Sequence, residues 1–299
     1  MSRKKNQRWV EIVKDLPKKL PINIISAKLF PILGSKSAAN KAIQGQRLFL
    51  NGKMAQVSDM VENGDKIELK GSGVKKIKKY DLDLEIIFED DYLIAVNKPS
   101  GIAVNGNRNK TVENALADKN HNNKFADVLP HPVAIHRIDV PTTGIVLLAK
   151  TKKALIEVSK AFQKNQVSKE YVAVVHGKTP QNGRISFPIK NKNAITQFET
   201  MEVVGSRIFD HLSLVKLIPI TGRTHQLRIH MQQEGHFIVG DKMYADGKKT
   251  IFGKGLMLCA RSISFQHPAT KETINLHIKY PKKFRHILDR EKKLFKKRR

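Results

Sequence analysis

The stretch from His131 to Lys150, HPVAIHRIDVPTTGIVLLAK, decides how the rest of the chain is read. Its second half, Ile145 to Ala149, is an unbroken apolar run. That run has strand length and is far too short to span a bilayer. Its first half is polar, with Arg137 two residues before Asp139, then a turn at Pro141, then Thr142-Thr143-Gly144. A loop of this kind displays polar side chains at the edge of a rigid strand, a good place for chemistry. On residue types alone the plainer reading stays open: Arg137 and Asp139 form a local ion pair that caps a turn.

Outward from this stretch, a large unit runs from about Asp81 to Pro281. Leu84 to Glu89 and Tyr92 to Asn97 are strand-like, and Lys98-Pro99-Ser100-Gly101 interrupts them, since proline and glycine do not continue a central strand. Ala154, Leu155, Val158, Ala161 and Phe162 have helical spacing. Tyr171 to His176 is β-rich, with turn residues at Gln181-Asn182-Gly183, and Leu212, Leu214, Lys216 and Ile218 sit two apart in another strand. Thr224 to Glu234 predicts a helix that Gly235 ends. Many strands, few helices and no regular alternation predict an α+β domain built on a mixed sheet.

Before it, residues 1–72 predict a small helix-and-hairpin module. Ser35 or Ser37 caps a helix carrying Ala38, Ala39, Ala42 and Ile43. Arg47 to Leu50 is a strand, Asn51-Gly52 a hairpin turn, Glu62-Asn63-Gly64-Asp65 a second turn, and Lys66 to Leu69 a strand. Residues 73–80, with Lys75, Lys76, Lys78 and Lys79, are expected to be a basic linker. Residues 284–299 are expected to be a basic tail, partly helical and partly disordered when free.

The 299 residues carry 55 Lys and Arg against 27 Asp and Glu, a formal charge of +28. So large a surplus points to a polyanionic partner, because neutralising phosphates releases counterions. An anionic membrane surface competes, but no amphipathic or lipidated anchor is evident. Met1-Ser2-Arg3-Lys4-Lys5 is basic with no apolar run behind it, so no signal peptide is expected. Cys259 is the single cysteine, which excludes internal disulfides and cysteine-rich zinc sites and fits a reducing, cytoplasmic setting. His131, His136, His225, His230 and His236 follow no metal-ligand pattern and are expected to be structural; no metal is predicted.

The stretch from His136 to Gly144 resembles the H-R-L-D-x-x-T-S-G loop of the RluA family of pseudouridine synthases, with Ile138 for Leu and Thr143 for Ser. Three further motifs follow in the same order along the chain. Leu93 to Gly101 resembles the family's strand and N-K-P-x-G turn, Lys169-Glu170-Tyr171 its K-x-Y, and Thr221 to His230 its T-G-R-x-H-Q-L-R-x-H; Gly240-Asp241 and Tyr244 come after. The module from about Pro21 to Leu69 resembles the small RNA-binding domain first named after a ribosomal small-subunit protein. It does so in Ser37 to Ile43, Leu50 to Lys53 and Gly64 to Leu69, and it lacks the usual R-L-D at its start.

The resemblance implies a largely antiparallel sheet with flanking helices around a central catalytic cleft. It implies isomerisation of uridine in structured RNA to its carbon-linked form, with ribosomal RNA the first expected target and transfer RNA the second. The base leaves the sugar, turns and rejoins through carbon 5, so no cofactor is expected. Asp139 is implied as the catalytic carboxylate, either nucleophile or stabiliser of positive charge at the sugar. Arg228 would pair with it, and Tyr171 would stack on the base and help take the proton from carbon 5. Arg137 would fill the gap left by the extruded uridine. Arg223, His225, Lys169 and Thr143 would contact RNA or shape the cleft. A monomer is expected. Two other classes compete: a non-catalytic RNA-binding or ribosome-assembly factor on the same scaffold, and a cofactor-dependent methyltransferase. The latter needs a glycine-rich loop that Gly253-Lys254-Gly255 does not supply.

Overall fold

The computed structural model describes residues 8–30, 32–33, 35–71, 77–120, 125–245 and 255–297. The first part contains β1 (Arg8–Ile12), β2 (Leu20–Pro21), α1 (Ile22–Leu29), α2 (Lys36–Gln44), β3 (Leu48–Leu50), β4 (Lys53–Met54), β5 (Met60–Val61) and β6 (Lys66–Lys70). Strands β1, β6, β3 and β4 form one small sheet in that order, and β2 pairs with β5. Ser35 caps α2, its Oγ accepting the Ala38 N–H at 3.2 Å. Asn51 and Gly52 turn the β3–β4 hairpin with φ of 48° and 84°, the left-handed pair a tight two-residue turn requires. Besides the short β2–β5 pair, two elements were not legible in the sequence. Helix α1 follows Pro21 without a side-chain cap, and β1 pairs along β6 with Trp9 opposite Leu69. Trp9 is buried, the Lys152 ammonium lies 4.9 Å from its ring centre, and the module's apolar residues share one buried cluster with the sheet that follows. Of the expected linker, residues 73–76 lie outside the described residues.

The second part contains β7 (Ile86–Glu89), β8 (Leu93–Lys98), α3 (Val112–Ala115), β9 (Val128–Ala134), β10 (Thr143–Thr151), α4 (Lys152–Gln163), β11 (Ser168–His176) and β12 (Asn182–Ile185). It continues with β13 (Thr196–Ser206), β14 (Asp210–Pro219), α5 (Gln226–Gln233), β15 (Leu258–Gln266), β16 (Thr273–His277) and α6 (Lys282–Lys296). The strands make a ten-stranded sheet in the order β12-β13-β14-β11-β15-β10-β8-β7, with β16 beside β15 and β9 beside β10. Among the described residues its only parallel pairing is β10 with β15. This is the expected α+β class with a mixed, largely antiparallel sheet.

Strand β10 explains its own sequence. An apolar run without alternation suits a strand covered on both faces. Ile145, Leu147 and Ala149 belong to one buried cluster, and Val146 and Leu148 to the other. Each of the four larger side chains contributes about 1.5–3 kcal/mol on burial. The strand begins at Gly144, whose φ is +117° and where a Cβ would fall 2.2 Å from the Ala260 carbonyl oxygen. Only glycine lets β10 and β15 come together there.

The stretch from 284 corrects the expectation of a tail. It is helical through Lys296, because Phe284, Ile287 and Leu288 form an apolar stripe that is buried. Glu291 is also buried and accepts from Ser206 Oγ of β13 at 2.8 Å, and Arg285 pairs with Glu202 at 2.6 Å. The Phe295 ring occupies the space where a side chain at Gly205 would stand.

Candidate active site

Asp139 lies in the loop between β9 and β10, and the turn after β8 is stitched onto that loop. Lys98 Nζ donates to the Val140 carbonyl at 3.1 Å, and also to those of Pro99 and Ile102 at 2.8 and 2.9 Å. The Gly101 N–H donates to Val140 O at 2.8 Å, and Ser100 Oγ to Pro141 O at 2.9 Å. Lys98 is wholly buried. Burial pulls its pKa down to about 8, opposed by the Asp139 charge. Within the loop, the Thr142 N–H closes a turn on the Asp139 carbonyl at 3.0 Å. The N-K-P-S-G segment therefore anchors the aspartate loop, a role the sequence did not disclose.

The Asp139 carboxylate is 24% exposed and meets Arg228 Nη1 at 3.2 Å through Oδ2. The rest of the guanidinium is held elsewhere. Nε and Nη2 of Arg228 grip the two oxygens of Asp241 at 2.7 and 2.8 Å. Asp241 further accepts the N–H groups of Met243 and Tyr244 at 2.9 and 3.2 Å. Arg228 and Asp241 are 5% and 1% exposed. Burial alone would push the Asp241 carboxyl up, but Arg228 and these N–H groups outweigh it and hold it below its ordinary value. Burial likewise disfavours the Arg228 cation, yet Asp241 and then Asp139 raise it above normal. A bidentate carboxylate fixes the plane of a guanidinium. One nitrogen is thereby left aimed at Asp139.

Helix α5 is placed by a buried glutamine. Gln226 Oε1 accepts from Thr221 Oγ1 and from the Arg223 N–H at 2.8 and 3.0 Å. Its amide donates to the Ile195 carbonyl and Thr196 Oγ1 at 2.9 and 3.0 Å. This ties the Thr221-Gly222-Arg223 turn to the start of β13. His225, just before the helix, adopts a left-handed φ of 56°. Its Nδ1 shares a hydrogen bond with the Tyr244 hydroxyl at 2.8 Å, and its Nε2 stands 3.8 Å from Asp139 Oδ1.

Lys169 and Tyr171 are two apart on β11 and therefore share a face. Burial first, and then the Asp139 charge, push the Tyr171 phenol above its ordinary value. Tyr171 therefore keeps its proton at neutral pH. The resulting cleft measures about 310 Å³, at the lower end of the roughly 300–1,000 Å³ usual for small-molecule sites. Asp139, Tyr171 and Arg228 line it, as do Arg137, Arg223, His225 and Lys169. Arg137 and Arg223 are exposed on its rim, and Arg223 Nε donates to the Asn193 carbonyl at 2.9 Å. Thr143 is not brought in: its hydroxyl faces the Leu258 carbonyl at 3.4 Å, and Thr142 lines the cleft instead. Lys98, Asp241, Gln226 and Tyr244 complete the site; all four lie in motifs legible in the sequence, but the sequence assigns none of them a part.

His136 and His230 have local partners. His136 Nε2 accepts the Leu147 N–H at 3.1 Å, which requires a neutral ring, and burial lowers its pKa to about 3. His230 bridges Thr196 Oγ1 and the Phe187 carbonyl at 2.9 and 3.0 Å. Among the described residues no group of three or more His, Cys, Asp or Glu is placed to hold a metal ion.

Residues 92–233 match the family model described as RNA pseudouridylate synthase. The chain is similar to the dual-specificity RNA pseudouridine synthase RluA of Vibrio parahaemolyticus, 35% identical over 202 residues that cover 62% of this chain and 78% of the relative. It is similar to the ribosomal large subunit pseudouridine synthase C of Rickettsia felis, 30% identical over 289 residues, 85% of this chain and 91% of the relative. Among solved structures, human RNA pseudouridylate synthase domain containing 4 superposes with a TM-score of 0.56 at 28% identity, covering 69% of this chain and 92% of that one. A cleft with these motif residues, in a sheet of this topology and with relatives this similar, places the chain in the RluA family of RNA pseudouridine synthases.

Proposed function

We propose that this pseudouridine synthase acts on structured RNA in the cytoplasm, as a monomer, with Asp139 as its catalytic carboxylate. The observation that carries the assignment is the Asp139–Arg228–Asp241 chain. It aims one fixed cation at a carboxylate that stays partly open to the cleft. In the reaction the bond from N1 of uracil to the ribose breaks, the base turns, and carbon 5 bonds to the same ribose carbon. The proton leaves carbon 5 and N1 gains one. The carboxylate serves on the sugar side, where positive charge develops. Tyr171, protonated and beside it, packs the base and relays the carbon-5 proton. Arg137 and Arg223 on the rim are placed to hold open an RNA from which the uridine has been flipped. Lys169 meets the adjoining phosphate.

Ribosomal RNA is the first proposed target and transfer RNA the second. Support comes from the relatives, one named for dual specificity and another for the large ribosomal subunit. We place the domain boundaries near residues 72 and 80, with the N-terminal module as a second RNA contact. Mapping pseudouridines in total RNA from cells with and without the gene tests the reading. Sites that vanish on deletion and return with the wild-type chain, but not with Asp139→Ala, are expected. An unchanged map across ribosomal and transfer RNA overturns it.

A further inference from the structure

A second cavity, of about 160 Å³, opens against α6, with Met257, Lys283, His286, Ile287 and Arg290 around it. Lys283, His286 and Arg290 are spaced three and four apart, so they stand on one face of the helix. Met257 and Ile287 are buried and give the cavity an apolar floor. The helix cannot roll this face away, because Phe284, Leu288 and Glu291 are buried beside it and hold the helix in place. Within Lys282–Lys296 seven Lys and Arg stand against two acids. Both acids are engaged: Glu291 with Ser206 and Arg290, and Asp289 at 4.0 Å from Arg285. Lys283 Nζ donates to the Leu256 carbonyl at 3.3 Å, and burial holds its pKa below the ordinary value. Leu258 lines the catalytic cleft and its neighbour Met257 lines this cavity. Consecutive residues of an extended segment point to opposite faces, so the cavity lies behind the cleft.

We infer that this cavity binds a phosphate of the RNA backbone outside the catalytic cleft, with Lys283, His286 and Arg290 as donors and the Met257–Ile287 floor under the adjoining ribose. The inference rests on the RNA-directed reading above for its class of ligand. Charges kept only for solvation would not need a rigid helix or a cavity between them.

Full-length wild type and K283Q/R290Q are titrated with a fluorescein-labelled transcript of bacterial large-subunit ribosomal RNA over a salt series. Losing one phosphate contact lowers the slope of log affinity against log salt by about 0.7–0.9. The variant is therefore expected to bind roughly four- to sixfold more weakly at physiological salt and to keep wild-type turnover at saturating RNA. K283R/R290K retains the charges and is expected to keep the wild-type slope. Wild-type slope and affinity in K283Q/R290Q overturn the inference. So does an equal loss in K283R/R290K, which would trace the effect to helix shape. Asp139→Ala runs alongside, losing turnover while keeping the slope. If the wild type makes no pseudouridine yet K283Q/R290Q lowers the slope, the activity reading fails and the phosphate site stands.

Discussion

Replacing Asp241 by Asn removes a charge from the centre of the site while preserving shape. In the native protein Arg228 is 5% exposed and holds Asp241 through two bonds of 2.7 and 2.8 Å, against a single bond of 3.2 Å to Asp139. Removing one partner of a buried ion pair costs about 3–5 kcal/mol. Asn can still accept one bond and Asp139 remains as an anion, so the lower end, about 3 kcal/mol, is expected. For a domain of this size each kcal/mol shifts the melting temperature by roughly 2–4 °C, giving a fall of about 6–12 °C. The guanidinium also loses the fork that fixes its plane, and misplacement by about 1 Å costs on the order of 100-fold in rate. Thermal melts and single-turnover pseudouridine formation at saturating RNA measure the two effects. Asp241→Asn combined with Arg228→Met should cost less than the two changes summed, because the stranded cation is gone. If Asp241→Asn melts within about 1 °C of wild type and turns over normally, Asp241 does not position Arg228.

Asp139→Asn should abolish pseudouridine formation while leaving RNA affinity intact; turnover within about tenfold of wild type, less than roughly 1.4 kcal/mol of barrier, would refute its role. Tyr171→Phe should fold normally but slow tritium release from RNA carrying 5-tritiated uridine. Because the phenol is pushed upward, the wild-type rate should show no tyrosine-linked change below the ordinary value of 10.0. Gly144→Ala forces a Cβ to 2.2 Å from the Ala260 oxygen at a φ of +117°, and should cost about 3 kcal/mol or more in urea unfolding. Burial lowers His136 to about 3 and His131 and His176 to about 4, from 6.5. Between those values the unfolded chain binds more protons than the native one. Stability should therefore be full above the unfolded value and fall as pH drops from about 6.5 toward 3. A melting temperature that stays flat from pH about 7 to about 4.5 would contradict this.

The sequence made the large unit legible where one physical signal dominated. The apolar run Ile145 to Ala149 could only be a buried strand, and the spacing from Ala154 to Phe162 reappears in α4. The residues lining the cleft came chiefly from the ordered motifs, which carry information that spacing alone lacks. Three things were hidden. Thr142 and Thr143 exchange places because a one-residue shift in where a strand begins reverses every side chain. Lys98 sits in a legible turn motif but its role is not legible, because lysine is rarely fully buried and nothing local announces three carbonyls waiting for it. In α6 the apolar stripe of Phe284, Ile287 and Leu288 is legible from its spacing, but the charge around it points to a tail and conceals that the helix is packed.

The Asp139–Arg228–Asp241 group has a formal charge of −1, set within a chain whose net charge is +28. The surplus outside favours a polyanion, whereas the Arg228 cation at the bottom of the cleft is already matched by two carboxylates and has little left to offer a phosphate. The uncharged portion of a nucleotide, its base and sugar, is therefore expected to settle there, with its phosphates toward Arg137, Arg223 and Lys169. The cleft would then act as a filter on the parts of a nucleotide before any base edge is read. Salt screens exposed charges beyond about 8 Å at physiological strength and buried ones much less. Raising salt should therefore weaken capture long before it blurs the orientation of a uridine already inside.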